Sequence, residues 1–159
     1  MPLQQLLDAD RIAIVNRPGD RDAVIDAAAP LLATAAVTAA MIGDSLHARE
    51  QLASTAIGHG VAIPHGRVAG LSTTRGAFLR LAEPVDFGAA DGRPVDLVLA
   101  MAVPEHSLQE HLQQLAEVAE RFADVAFRES LRAAVDAAEL RRCLLQPSSQ
   151  PLSSRTTTA

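Results

Sequence analysis

The stretch Val95-Asp96-Leu97-Val98-Leu99-Ala100-Met101-Ala102-Val103 constrains this chain more than any other part of it. Apart from Asp96 every position is apolar, so a strand here needs cover on both faces. The run is far short of the ~20 residues that cross a membrane. A strand of this kind belongs at the centre of a sheet with other elements packed above and below it.

The flanking sequence supplies those elements. Arg11-Ile12-Ala13-Ile14-Val15 alternates as a first strand, and Asp20 offers an N-cap to an alanine-rich helix running to about Thr34. A second helix, near Thr38 to Ala53, carries Ile42, Leu46 and Leu52 on one side. The glycine-punctuated segment from Gly58 to Arg67 reads as loop, short strand, loop. Gly76 to Leu81 is a further strand, separated from the apolar run by the turn signal Asp91-Gly92. Ser107 and Glu110 form a capping box that opens a helix to about Asp124. Short helices follow over residues 128–134 and 136–145. Strands interleaved with helices predict an α/β layered domain. From Pro147 the chain is Ser, Thr, Gln and Pro with little to bury, so a domain over residues 1–146 and a disordered tail over 147–159 are expected.

Composition narrows the function classes. A chain of 159 residues removes about 68–70% of its unfolded surface from water on folding, enough for a core without disulfides. Apolar residues make up 48%, yet the only aromatics are four Phe, so small alanine side chains must let the elements pack closely. All 14 basic residues are arginine, which excludes a Schiff-base lysine and a P-loop lysine. A net charge of −5, no basic run and no Tyr or Trp argue against nucleic acid as a partner. Cys143 is the single cysteine, so neither a disulfide nor a cysteine zinc cluster can form within the chain. Met1-Pro2-Leu3-Gln4-Gln5 lacks the features of a signal peptide, and no membrane insertion is expected. A cytoplasmic protein is the simplest expectation.

Among residues that carry chemistry, His65 stands out. It follows Pro64, which fixes its backbone φ, at the end of a short apolar strand and before Gly66. Gly58, Gly60 and Gly66 leave nearby backbone amides free to approach an anion. A neutral imidazole displayed there suits nucleophilic work near pH 7; a loop histidine without a role is the plain alternative. Arg49 lies seven residues after Ile42, three after Leu46 and three before Leu52, so it shares their apolar face. Two readings are open: a guanidinium held for a phosphate, or a structural ion pair with Glu50 or an Asp elsewhere. His111, three residues after Leu108 and four before Leu115, is either a hydrogen-bonded core histidine or a donor to a phosphoryl group on another imidazole. His47 and His106 are expected to be solvated. His59 competes with His65 because it shares the same glycine-rich segment. No His-Glu-x-x-His helix and no Gly-x-Ser-x-Gly elbow is present, so neither a metal site nor a serine hydrolase is indicated, and no cofactor is expected.

The stretch Ala48-Arg49-Glu50-Gln51-Leu52-Ala53-Ser54-Thr55-Ala56-Ile57-Gly58, with Gly60-Val61-Ala62-Ile63-Pro64-His65-Gly66-Arg67 after it, resembles the signature of phosphotransferase-system IIA domains of the fructose/mannitol type. Within that group it is most similar to the nitrogen-regulatory IIA proteins. The likeness continues through Leu81 to Val85, Pro94 to Leu97, Val103-Pro104 and His111 to Leu115, and covers roughly residues 5–145. It implies an α/β fold with a central mixed β-sheet flanked by helices. It also implies that His65 accepts a phosphoryl group from phosphohistidine on a small HPr-like carrier protein, with Arg49 and His111 beside it. His59 departs from the family pattern. Two functions fit the resemblance: a regulator whose phosphorylation state changes which target proteins it binds, or a stand-alone sugar IIA that passes its phosphoryl group to a IIB cysteine. Whether the chain is an enzyme in the strict sense is open, since it would be a phosphoryl-transfer intermediate.

Overall fold

The apolar run forms a strand that extends from Val95 to Pro104, named β6 in chain order, in a computed structural model that describes residues 3–106 and 108–146. Its side chains divide between the two faces as the pleat requires. Val98, Ala100 and Ala102 join one core cluster, and Leu97, Leu99, Met101 and Val103 join the other. Around it lie β1 (Ile12–Val15), β2 (Ala56–Gly58), β3 (Val61–Ala62), β4 (His65–Val68) and β5 (Arg75–Val85). The helices are α1 (Leu3–Leu6), α2 (Arg21–Leu32), α3 (Ala39–Leu52), α4 (Leu108–Phe122), α5 (Val125–Ala133) and α6 (Ala137–Leu145).

The sheet is mixed. β5 runs antiparallel to β6 on one side and parallel to β1 beyond it. On its other side β6 is flanked by two short strands laid end to end, β3 against Leu97–Val98 and β4 against Met101–Pro104, both parallel to it. β2 completes the order by pairing antiparallel with β3. Helices α2 and α3 supply one buried layer, and α1, α4, α5 and α6 the opposite one. The predicted α/β layering with a central mixed sheet is therefore the observed architecture.

Local signals account for most element ends. The Asp20 carboxylate accepts the N–H of Ala23 at the start of α2, and the Thr38 hydroxyl accepts that of Met41 at the start of α3. Such caps contribute about 1 kcal/mol each. The capping box at Ser107 falls on a residue outside those described. Several expectations need correction. The helix placed over 128–134 begins at Val125, because Asp124 caps it. Ile42 and Leu46 are buried, but Leu52 is 82% exposed at the last position of α3. The segment Gly58–Arg67 is not loop, strand, loop: it holds the β2–β3 turn and then two strands, with β4 starting at His65 itself. The 3-10 turn Ala9–Arg11 and the one-turn α1 carried no periodicity long enough to read.

Candidate functional site

His65 owes its position to a change of strand along one edge. β3 ends at Ala62, Pro64 gives its carbonyl to the N–H of Met101 (2.8 Å), and β4 then continues along the same side of β6. Register decides direction. His65 is paired with Met101 and so faces the α4 layer, whereas Gly66 is paired with Ala102 and faces α3. At Gly66 a Cβ would collide with the Ser45 hydroxyl and come within 2.9 Å of the Ser45 carbonyl carbon and oxygen. The absent side chain lets α3 lie directly on β4, where the Ser45 hydroxyl donates to the Arg67 carbonyl (2.8 Å). One turn further along α3, Arg49 reaches the level of His65.

The ring of His65 is half-buried, and its Nδ1–H donates to the Ile63 carbonyl at 2.8 Å. That bond assigns the proton to Nδ1 and leaves the lone pair on Nε2. Burial foremost, and the positive charge of Arg49, lower the pKa below the ordinary 6.5, against the opposing pulls of the Ile63 carbonyl and Glu50. The imidazole is therefore neutral near pH 7. It opens on a cleft of about 710 Å³ between α3, β4 and the first half of α4, lined also by Arg49, Arg67, His111, Leu112 and Leu115. A smaller hollow of about 330 Å³ on another side of the ring shares Arg49, His65 and Leu115.

The structure thus brings His65, Arg49 and His111 into one cleft. Arg49 makes no ion pair among the described residues; its Nη1 donates to the Ala53 carbonyl at 2.8 Å, which fixes the guanidinium and leaves its other donors uncommitted. The ion pair with Glu50 does not form. The Glu50 carboxylate, 3% exposed, instead accepts the N–H of Thr55 (2.8 Å) and its hydroxyl (2.6 Å). His111 is 4% exposed, and its Nδ1 has no hydrogen-bond partner among the described residues, so it is not a satisfied core histidine. Its pKa is lowered by burial first and then by the charge of Arg67. Arg67 was not singled out in the sequence, although its place two residues after His65 on a strand puts it on the same face. Its guanidinium is exposed and makes no hydrogen bond or ion pair among the described residues.

The other histidines lie elsewhere. His59 occupies the β2–β3 turn at φ 59°, followed by Gly60 at φ 78°, the positive pair that a two-residue hairpin turn demands. Its N–H donates to Asp91 and its carbonyl accepts from Arg132, while the ring is exposed and lines neither hollow. His47 is not simply solvated: its Nε2 meets the Asp26 carboxylate at 2.8 Å. His106 is exposed before α4. Among the described residues no group of three or more His, Cys, Asp or Glu is placed to hold a metal, and no helix is long and apolar enough to cross a membrane.

Comparison with known proteins places these features in a wider set. Residues 5–146 match the family described as "Phosphoenolpyruvate-dependent sugar phosphotransferase system, EIIA 2". A nitrogen regulatory protein of Pseudomonas aeruginosa is 40% identical over 141 residues, 87% of this chain and 91% of that protein. Among solved structures, nitrogen regulatory protein IIA-Ntr of Neisseria meningitidis superposes with a TM-score of 0.81 at 39% identity, covering 89% of this chain and 98% of the other. IIA mannitol of Escherichia coli shares the fold at a TM-score of 0.71, with 23% identity and coverage of 87% and 98%.

Proposed function

This chain belongs to the EIIA 2 family of the phosphoenolpyruvate-dependent sugar phosphotransferase system, and we propose that within it His65 takes a phosphoryl group from an HPr-like carrier and that the phosphorylated and free forms bind different target proteins. It is a IIA protein of the nitrogen-regulatory type. The observation that carries the proposed site is the Nδ1–H bond from His65 to the Ile63 carbonyl, which leaves Nε2 as the one nucleophilic nitrogen, at a cleft with two arginines. In the transfer the Nε2–P bond forms as the N–P bond on the carrier histidine breaks. The electron pair of the broken bond stays on the carrier nitrogen, and no cofactor takes part.

Donor and acceptor are chemically alike, so the protein contributes position and charge neutralisation rather than driving force. Arg49, already oriented by Ala53, offers its remaining donors to the phosphoryl oxygens. His111 supplies a neutral ring donor from the opposite wall, where a bond to a phosphoryl oxygen offsets the roughly 1–3 kcal/mol cost of an unpartnered buried group. Leu52, Ile57, Leu108 and Leu112, four of the large apolar side chains left exposed among the described residues, lie around the two hollows and form an apolar rim for the carrier. Phosphorylation adds a charge of roughly −1.5 to −2 at the centre of that rim. A target seated over it with apolar or acidic groups is repelled, and binding switches without a change of fold.

The experiment is label transfer from radiolabelled phospho-carrier. His65→Ala should abolish acid-labile label and His59→Ala should leave most of it; full labelling of the His65→Ala protein would remove His65 from the site. Binding assays on both forms test the regulatory half. Some protein other than the carrier should discriminate them at least about tenfold, equivalent to ~1.4 kcal/mol. Ready transfer to a sugar-specific IIB cysteine, with no protein that discriminates, would favour the sugar-transport function instead.

A further inference from the structure

We infer that Glu50 and Thr55 are positioning residues for the phosphoryl acceptor, acting on the ring of His65 through a continuous series of hydrogen bonds. The inference rests on the reading of His65 as that acceptor. The series begins on α3. The Glu50 carboxylate grips Thr55 with both oxygens, Oε2 on its N–H and Oε1 on its hydroxyl. The Thr55 carbonyl then accepts the N–H of Ile63 at 3.1 Å, and the Ile63 carbonyl accepts the Nδ1–H of His65 at 2.8 Å. Glu50, Thr55 and Ile63 are each buried.

A buried carboxylate is a costly way to hold a loop. It must shed its hydration, and no cation pairs with it among the described residues. What it achieves here is direction. The same loop is gripped a second time two residues earlier, where Arg49 donates to the Ala53 carbonyl. The hydrogen bonds on Ala53 and Thr55 therefore set the guanidinium and the acceptor ring together, from opposite ends of one short segment.

The chain of bonds is mechanical rather than electronic. The N–H and the carbonyl of Thr55 belong to different peptide groups, and so do those of Ile63. Polarisation is not handed from the carboxylate to the imidazole; only placement is. This makes a sharp distinction between two variants. Glu50→Gln keeps the shape, with Oε1 accepting the Thr55 N–H and its amide donating to the Thr55 hydroxyl, which can act as acceptor. Glu50→Ala removes both bonds and strands a buried N–H.

The test uses the full chain, with ring tautomer of His65 read by nitrogen-15 NMR and transfer rate read with phospho-carrier. Wild type should show the proton on Nδ1. Glu50→Ala and Thr55→Val should show a mixture of tautomers and a kcat lowered about tenfold to a hundredfold, with KM for the carrier little changed. Glu50→Gln should keep the Nδ1–H tautomer and stay within a few-fold of wild type. Should Glu50→Ala not fold, Thr55→Val and Glu50→Gln carry the comparison. A folded Thr55→Val or Glu50→Ala protein with an unaltered tautomer and rate overturns the inference, and so does a Glu50→Gln protein as slow as Thr55→Val. If the wild type takes no label while Glu50→Ala still scrambles the tautomer, the positioning stands and the acceptor role of His65 falls.

Discussion

Replacing Gly66 by alanine tests the geometry of the whole site through a residue that touches none of the reacting atoms. A Cβ built at Gly66 lies 2.9 Å from the carbonyl carbon and oxygen of Ser45, where ordinary contact begins at 3.4 Å. The collision is with helix backbone, so no rotamer change relieves it, and α3 must retreat from β4 by roughly 0.5–1 Å to restore normal contact. Overpacking of this kind costs about 1–3 kcal/mol, read as a fall in Tm of roughly 2–4 °C for each kcal/mol. The retreat also carries Arg49, one helical turn on, away from His65. Since misplacement by about 1 Å can cost 10²-fold, phosphoryl transfer should drop by about one to two orders of magnitude in a protein that remains folded at 25 °C. Single-turnover transfer from phospho-carrier gives the rate and denaturant melts give the stability. Adding Ser45→Gly removes the hydroxyl but not the backbone atoms, so the double variant should stay slow. Wild-type transfer by Gly66→Ala, or full rescue by Ser45→Gly, would refute the argument that helix placement is what the glycine secures.

Further outcomes follow from the same geometry. Arg49→Lys should slow transfer about ten- to a hundredfold, the equivalent of a lost charge-assisted bond of ~1.5–3 kcal/mol, because an ammonium cannot hold Ala53 and chelate a phosphoryl group at once; an unchanged single-turnover rate would place the fork elsewhere. The pKa values of His65 and His111 are lowered from 6.5 in the folded state, so the unfolded chain binds the extra protons first as pH falls. Their contribution to stability is therefore fully present above pH 6.5 and is lost as pH falls from there toward the lowered folded values. Urea midpoints of wild type should drop across that window, and those of a His65→Ala, His111→Ala double variant should drop less. Phosphorylation should raise the pKa of His111, because a dianion then faces it, and proton NMR titration of the two forms reads the shift.

The sequence made the central strand, the cap at Asp20 and the singular setting of His65 legible because each is a local signal. A two-faced apolar run, a capping residue before an apolar period and a histidine fixed by proline need no knowledge of the rest of the chain. What stayed hidden depends on contacts distant in sequence. β4 could not be read as a strand, since its four residues His65–Val68 include a histidine, a glycine and an arginine, and only β6 beside it makes them one. Helical spacing put Leu52 on the face of Ile42 and Leu46, but at that end of α3 the cleft, and not the core, lies beside it. The same spacing left an ion pair between Arg49 and Glu50 open. It could not show that each turns to the loop that follows, one to Ala53 and the other to Thr55. His47 looked solvated because its Asp26 partner sits on another helix.

The alternation along β4 also governs which changes in chain length the site can absorb. The proposed acceptor His65 and the spacer Gly66 are adjacent residues on opposite sides of a single edge strand, so their duties are separated by parity alone. Inserting or deleting one residue between Ala62 and His65, with the ladder to β6 kept in step, exchanges the two sides: the imidazole turns into the α3 layer and the gap closes with the wrong side chain. Point changes in the cleft can be graded in severity, but a frame of one residue here admits no half measure. Loop length before His65 is therefore under a stricter rule than loop composition, and any graft of this histidine onto another sheet must transplant the register along with the residues.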